Sequence, residues 1–136
     1  MRSIKAVKQM PQKPHKTSRQ AALKAAGLAI DKKAFNLILW DVRPWHLLMD
    51  YILILSGHST KHTQTIAQHI RETFKEENIY SLGVEGLSEG KWILMDYNDV
   101  IIHVFFEYVR DFYNLEGLRQ DAPKVSIPKS YYKRHA

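Results

Sequence analysis

Three groups of residues in this 136-residue chain have the types and spacings from which a reactive or binding site could be built. His58, His62 and His69 form the first. His62 and His69 stand seven residues apart, so a helix through them would place both imidazoles on one face, which is how a two-histidine metal site begins. No H-E-x-x-H pattern accompanies them and no acid stands at a matching spacing, so exposed polar positions opposite Ile66 and Ile70 explain them better and no metal is expected. Glu85, Asp96 and Asp99 form the second group: converging near the ends of neighbouring strands, they would hold Mg²⁺ for phosphoryl transfer. No glycine-rich phosphate loop supports that chemistry. Gly57-His58-Ser59 before a helix is a weak anion-binding feature, and Asp beside Asn98 is ordinary turn chemistry. Ser56, Ser59 and His62 form the third group, but all belong to one strand-to-helix junction and no acid is placed to orient the imidazole. No catalytic residue is assigned.

The stretch GKWILMDYNDVIIHVF, residues 90 to 105, is of another kind. It reads as two strands around a turn at Tyr97-Asn98. Strand alternation puts Trp92, Leu94 and Asp96 on one face and Ile93 and Met95 on the other. If helices cover the Ile93 and Met95 face, the Trp92 face is only partly covered. A Trp among acidic and aromatic groups is the composition of an interface centre. An ordinary core Trp fits the same pattern, and the residues alone leave both readings open.

The elements that position these residues follow from the periodicities. Thr17-Ser18 can cap a helix over residues 19 to 33, rich in Ala, Leu and Lys. FNLILWDV and DYILILSG are short apolar runs that read as buried strands, joined by a PWHLLM connection expected to pack. Ser59-Thr60 opens a helix with Ile66, Ile70 and Phe74 at spacings of three and four, the strongest helix signal in the chain. YSLGVEG gives a short strand, WILMD and VIIHVFF two more, and EYVRDFYNLEGL a last helix. The order α-β-β-α-β-β-β-α, with strands apolar on both faces, predicts a single α/β domain with one mixed sheet flanked by helices.

Composition sets the outer limits. With 45% apolar and 11% aromatic residues there is material for one core and length for one domain. No apolar run approaches the roughly 18 to 20 residues of a bilayer span, and the N-terminus lacks the apolar segment of a secretory signal, so a soluble protein with no membrane contact is expected. The absence of cysteine excludes disulfides and thiolate chemistry and suits the cytoplasm. Charge is unevenly spread. Residues 1 to 35 carry nine Lys/Arg and one acid, residues 36 to 119 seven and twelve, and residues 120 to 136 four and one, giving +8, −5 and +3. The expected organisation is a basic irregular tail at 1 to 17, an acidic domain at 18 to 119 and a basic tail at 120 to 136, with the tails suited to nearby RNA phosphates.

Several separated motifs agree in order and spacing with one known family. DY with an apolar run and S-G-x-S-x-x-H, then G-V-E-G, W-x-L-x-D, D-V-x-x-H and R-x-x-Y-x-L-E, spread over residues 19 to 119, resemble the ribosomal silencing factor family, also called the Iojap-like family. The resemblance implies a mixed five-stranded sheet, nucleotidyltransferase-like without the catalytic motif. It implies a protein that is not an enzyme and uses no cofactor. Such a protein binds large-subunit ribosomal protein L-fourteen, sterically blocks association of the ribosomal subunits and represses translation. Organelle relatives assist large-subunit assembly, and a homodimer is expected when free. Carried onto this chain, the partner-binding positions are Trp92, Leu94, Asp96, Tyr97, Asp99, Val100 and His103. The motif positions Asp50, Tyr51, Gly57, Ser59, His62, Arg110 and Tyr113 are expected to serve architecture. The chain departs from the family pattern at Asn98, where Gly is usual, at Arg119, where Trp is frequent, and in the apolar PWHLLM connection.

Overall fold

The computed structural model describes residues 17–119 and 121–133. Helix α1 (Ser18–Asp31) starts where Thr17 caps it: the Thr17 hydroxyl accepts from the Gln20 N–H, and the Gln20 side chain accepts in return from the Thr17 N–H, both at 3.0 Å. Its buried face is mostly alanine, with Ala22, Ala25, Ala26 and Ala29 fully buried, so its backbone lies close to the sheet. Strands β1 (Phe35–Asp41) and β2 (Tyr51–Gly57) follow, then helix α2 (Thr60–Glu76), whose Ile66, Ala67, Ile70 and Phe74 form one buried stripe. Strands β3 (Gly83–Glu85), β4 (Trp92–Asp96) and β5 (Val100–Phe106) lead into α3 (Glu107–Tyr113), a 3-10 turn over Leu115–Arg119, and a short helix α4 (Lys129–Lys133).

The five strands form one sheet in the order β1-β2-β5-β4-β3. Only the β2–β5 pair is parallel, so the sheet is mixed as expected. The parallel pair is central because its connection carries α2 back across one face. Alternation divides the strands between two cores. Leu39, Leu53, Leu55, Ile93, Met95, Ile102 and Val104 pack under α1 and α2. Trp40, Ile54 and Phe105 form a smaller cluster on the opposite face, with Ala122 and the partly buried Val109 and Leu115. The first face is sealed by two long helices. Among the described residues the second is covered towards β1, at the C-terminal ends of β2 and β5, and by Trp45 and Met49 of the β1–β2 connection, and it carries no long helix.

Two expectations need correction. The packed structure continues past residue 119. Edge strand β1 has free backbone groups, and residues 121–125 use them: the Asp41 N–H donates to the Pro123 carbonyl at 2.9 Å and the Val125 N–H to the Leu39 carbonyl at 2.7 Å. Trp40 and Lys124 form an antiparallel bridge, and Ala122 and Val125 are buried, so the segment read as a basic tail closes the sheet edge. The PWHLLM connection also differs from expectation. Arg43–Trp45 form a 3-10 turn, and Trp45 and Met49 pack on the smaller core, but Leu47 and Leu48 are exposed. The N-terminal tail expected at 1 to 17 lies outside the described residues except for Thr17.

Candidate protein-docking face

Register assembles the site. Across the thinly covered face, Trp92 pairs with Phe105, Leu94 with His103 and Asp96 with Ile101. Glu85 extends the Leu94 row on the β3 side and Ile54 extends it on the β2 side. The Trp92 ring stacks on Phe105 with centroids 5.0 Å apart and leans on Tyr113 at 4.7 Å. Its Nε1–H donates to Nδ1 of His103 at 3.1 Å. That bond requires an unprotonated Nδ1, so the neutral ring carries its proton on Nε2. Burial pushes the His103 imidazole down to about 4 from its ordinary value, because the cation would be poorly solvated there. The result is a neutral aromatic cluster, half-buried and held by packing and one hydrogen bond.

Beside Trp92 a cleft of about 520 Å³ opens between the β3–β4 connection and α3. Glu89 and Lys91 line one side, and Tyr108, Phe112 and Tyr113 the other. Tyr108 is 72% exposed and Phe112 80%, so α3 turns aromatic surface outward rather than to the core.

At the other end of β4 and β5, the turn is shaped by its own side chains. Asn98 adopts φ 72°, which Asn tolerates at small cost, and its N–H donates to Asp96 Oδ1 at 2.8 Å. The Asp99 carbonyl accepts from the Asp50 and Tyr51 N–H groups at 2.8 and 3.1 Å, tying the turn to the start of β2.

The fold brings some of the expected docking residues together and separates others. Trp92, Leu94, Asp96 and His103 share the open face. Asp99 lies in the turn at its edge. Val100 is buried under the helices, one alternation step from Ile101. Tyr97 turns the same way: its ring meets Phe74 edge-on at 4.9 Å, its hydroxyl is buried without a partner, and burial pushes it up to about 12. These two residues therefore support the face from behind. Tyr108 and Phe112 join the face although sequence reasoning did not assign them, and the fully buried Phe105 is the floor on which Trp92 stacks. The pairing of Trp92 with Phe105 follows from the length of the 97–99 turn, and that was the available signal.

The remaining motif residues sit in tight local architecture. Ser59 caps α2 by accepting from the His62 N–H at 3.0 Å. The His62 ring folds back, its Nδ1 accepting from the His58 N–H at 2.9 Å and its Nε2–H donating to the Lys32 carbonyl at 2.6 Å. Both nitrogens are thus engaged in joining the end of α1 to the start of α2. Gly57 is required by this closeness, because a Cβ there would lie 2.9 Å from Thr63 Cγ2 and 3.3 Å from His62 Nδ1. Asp50 accepts from the Ser18 hydroxyl at 2.9 Å, and Tyr51 is fully buried with the Arg43 guanidinium 5.4 Å from its ring centre. Arg110 is buried at the root of α3. It donates to the Asn36 carbonyl at 2.6 Å, to Ser56 Oγ at 2.8 Å and to both carboxylate oxygens of Glu116 at 3.2 Å. Arg110 therefore locks the helix that carries Tyr113.

Two of the carboxylates of the catalytic reading, Glu85 and Asp96, share the open face. Glu85 is exposed on β3, opposite Leu94, while Asp96 is engaged with the Asn98 N–H. Among the described residues no three His, Asp or Glu side chains are placed to hold a metal ion. No described helix is long and apolar enough to cross a membrane.

Comparison with known proteins gives the same assignment. The family model described as "Ribosomal silencing factor during starvation" matches residues 15–136. A ribosomal silencing factor RsfS of Bacillus subtilis is 39% identical over 103 residues, covering 76% of this chain and 87% of that relative. One from Halalkalibacterium halodurans is 37% identical over 111 residues, covering 81% and 95%. A crystal structure of a Chromobacterium violaceum protein superposes with a TM-score of 0.74 at 26% identity, covering 85% of this chain and 98% of that one. A more distant relative, 27% identical over 90 residues, covering 64% of this chain and 40% of that one, is the mouse protein named "Mitochondrial assembly of ribosomal large subunit protein 1". A five-stranded mixed sheet, the spaced motifs and these matches lead to one conclusion: the chain belongs to the ribosomal silencing factor family.

Proposed function

We propose that this protein docks through its Trp92 face on large-subunit ribosomal protein L-fourteen, prevents the small subunit from joining, and so represses translation in the cytoplasm without catalysing a reaction. The observation that carries this reading is the asymmetry of the sheet. One face is sealed by α1 and α2, while the other leaves Trp92, Leu94, Asp96 and His103 half-buried beside exposed aromatics of α3. A stacked Trp with a satisfied Nε1–H is already ordered, so docking would cost it little side-chain entropy. The −5 balance of residues 36 to 119 suits a basic ribosomal protein, since complementary charge speeds encounter and excludes wrong partners.

The basic N-terminal segment is placed in this scheme on neighbouring ribosomal RNA. Removing residues 1 to 16 then flattens the salt dependence of binding, and an unchanged slope contradicts that placement. Free protein is expected as a homodimer. Assistance in large-subunit assembly uses the same contact at an earlier time, and the name of the mouse relative favours keeping it as the second reading. The test is a subunit-joining assay by gradient centrifugation. Added protein should shift joined ribosomes towards free subunits in proportion to its occupancy of the large subunit. Occupancy without any shift would leave assembly as the remaining role, and heat on titration with nucleotide and Mg²⁺ would point to an enzyme instead.

A further inference from the structure

The connection between β1 and β2 is built more firmly than a linker needs to be. Asp41 accepts from the Arg43 N–H, Nε and Nη2 at 3.0, 2.9 and 2.7 Å, which fixes its first turn. Pro44 sets the 3-10 turn, His46 takes φ 54°, and the Val42 N–H donates to the Asp50 carbonyl at 2.8 Å to close the base. Trp45 and Met49 anchor the loop on the core cluster that includes Trp92 and Phe105. Between these anchors Leu47 is 40% and Leu48 55% exposed. Two adjacent leucines on a pinned loop thus leave two fifths or more of their surface in water. They are the composition of a contact surface.

Their position gives the occupant. The loop joins the β4–β5 turn through the Asp50 N–H, which donates to the Asp99 carbonyl at 2.8 Å, so Leu47 and Leu48 lie at the Asp99 end of the open face and Trp92 at the other. Strand β5, seven residues long, separates the two ends by roughly 20 Å. One interface of ordinary size, about 800 Å² per partner, spans that distance. Asp50, Asp96 and Asp99 lie at this end, Asp50 also accepting from Ser18, while Arg43 of the loop is paired with Asp41; the acidic surplus favours a basic partner over a nucleic acid.

We propose that Leu47 and Leu48 form a second apolar anchor, continuous with the Trp92 face, covered by the same basic large-subunit protein. This rests on the docking reading above. The test titrates isolated large subunits with the full chain and follows sedimentation for wild type, a Leu47→Ser, Leu48→Ser variant and Trp92→Ala. The double serine variant should bind at least tenfold more weakly, with unchanged thermal unfolding and an unchanged mass of the free protein. A Leu47→Met, Leu48→Met variant should restore binding, which separates loss of apolar contact from a disturbed loop. If Trp92→Ala weakens binding and the serine variant does not, the second anchor is wrong and the docking face stands. If neither matters, both fail. If the serine variant instead converts a free dimer to monomer without changing subunit binding, the leucines serve a second copy of this chain and the proposal is overturned.

Discussion

The His103–Trp92 pair makes the account of the open face quantitative. Burial holds the folded His103 at about 4, against 6.5 for an unperturbed imidazole. Between those values the unfolded chain binds a proton that the folded chain does not, so stability is fully present above about pH 6.5 and is lost as the pH falls towards 4. The difference of 2.5 in pKa corresponds to about 3 kcal/mol in all, most of it lost by pH 4.5. Protonation would also turn Nδ1 from acceptor to donor and set it against Trp92 Nε1–H. His103→Asn keeps an acceptor near the same position and does not titrate. Urea unfolding of wild type and variant, followed by far-ultraviolet circular dichroism at pH 7.5 and 4.5, isolates the effect because every other titrating group cancels in the difference. Wild type should lose about 2 to 3 kcal/mol more than the variant over this interval. Parallel losses would mean that His103 titrates as an exposed imidazole does and that the cluster is open to water, refuting the geometry.

Other consequences follow from local geometry. Arg110→Ala strands the Ser56, Asn36 and Glu116 acceptors around a buried gap and should cost about 3 kcal/mol by chemical denaturation, while Arg110→Lys should recover only part because it cannot form the forked pair with Glu116. Gly90→Ala should be worse than a simple positive-φ penalty of about 1 kcal/mol, since the added Cβ would stand 2.6 Å from the Thr60 carbonyl; thermal unfolding measures it. At Asn98, substitution by Gly should leave stability within about 0.5 kcal/mol, and by Val should lower it by 1 to 2 kcal/mol, roughly, in the same assay.

Much of the fold was legible because its signals are periodic. The Ile66–Ile70–Phe74 stripe marked α2, and Thr17 marked the start of α1. The alternation of WILMD placed Trp92 and Met95 on opposite faces before any topology was known. Non-local partners left no such mark. Nothing near Pro123 announces that its carbonyl completes the edge of β1, and two prolines in a basic stretch read as irregular chain. The same limit applies to the site. Motif spacing brought Tyr97 and Val100 forward with Trp92, but the pleat turns both into the helix-covered core. Phe105 and the α3 aromatics entered only through pairing register and helix packing. The motif assigns His62 to architecture, but its partner was not legible, because the Lys32 carbonyl that accepts from its Nε2–H is thirty residues away.

The central claim is that the Trp92 face holds the large subunit. It is tested most directly by co-sedimentation of the 136-residue chain with isolated large subunits, comparing wild type with a Trp92→Ala, Asp96→Ala variant shown to be folded by circular dichroism. Loss of a Trp at an interface centre costs about 2 kcal/mol or more, so the account predicts binding weakened at least thirtyfold. A folded variant that sediments as fully as wild type would contradict it.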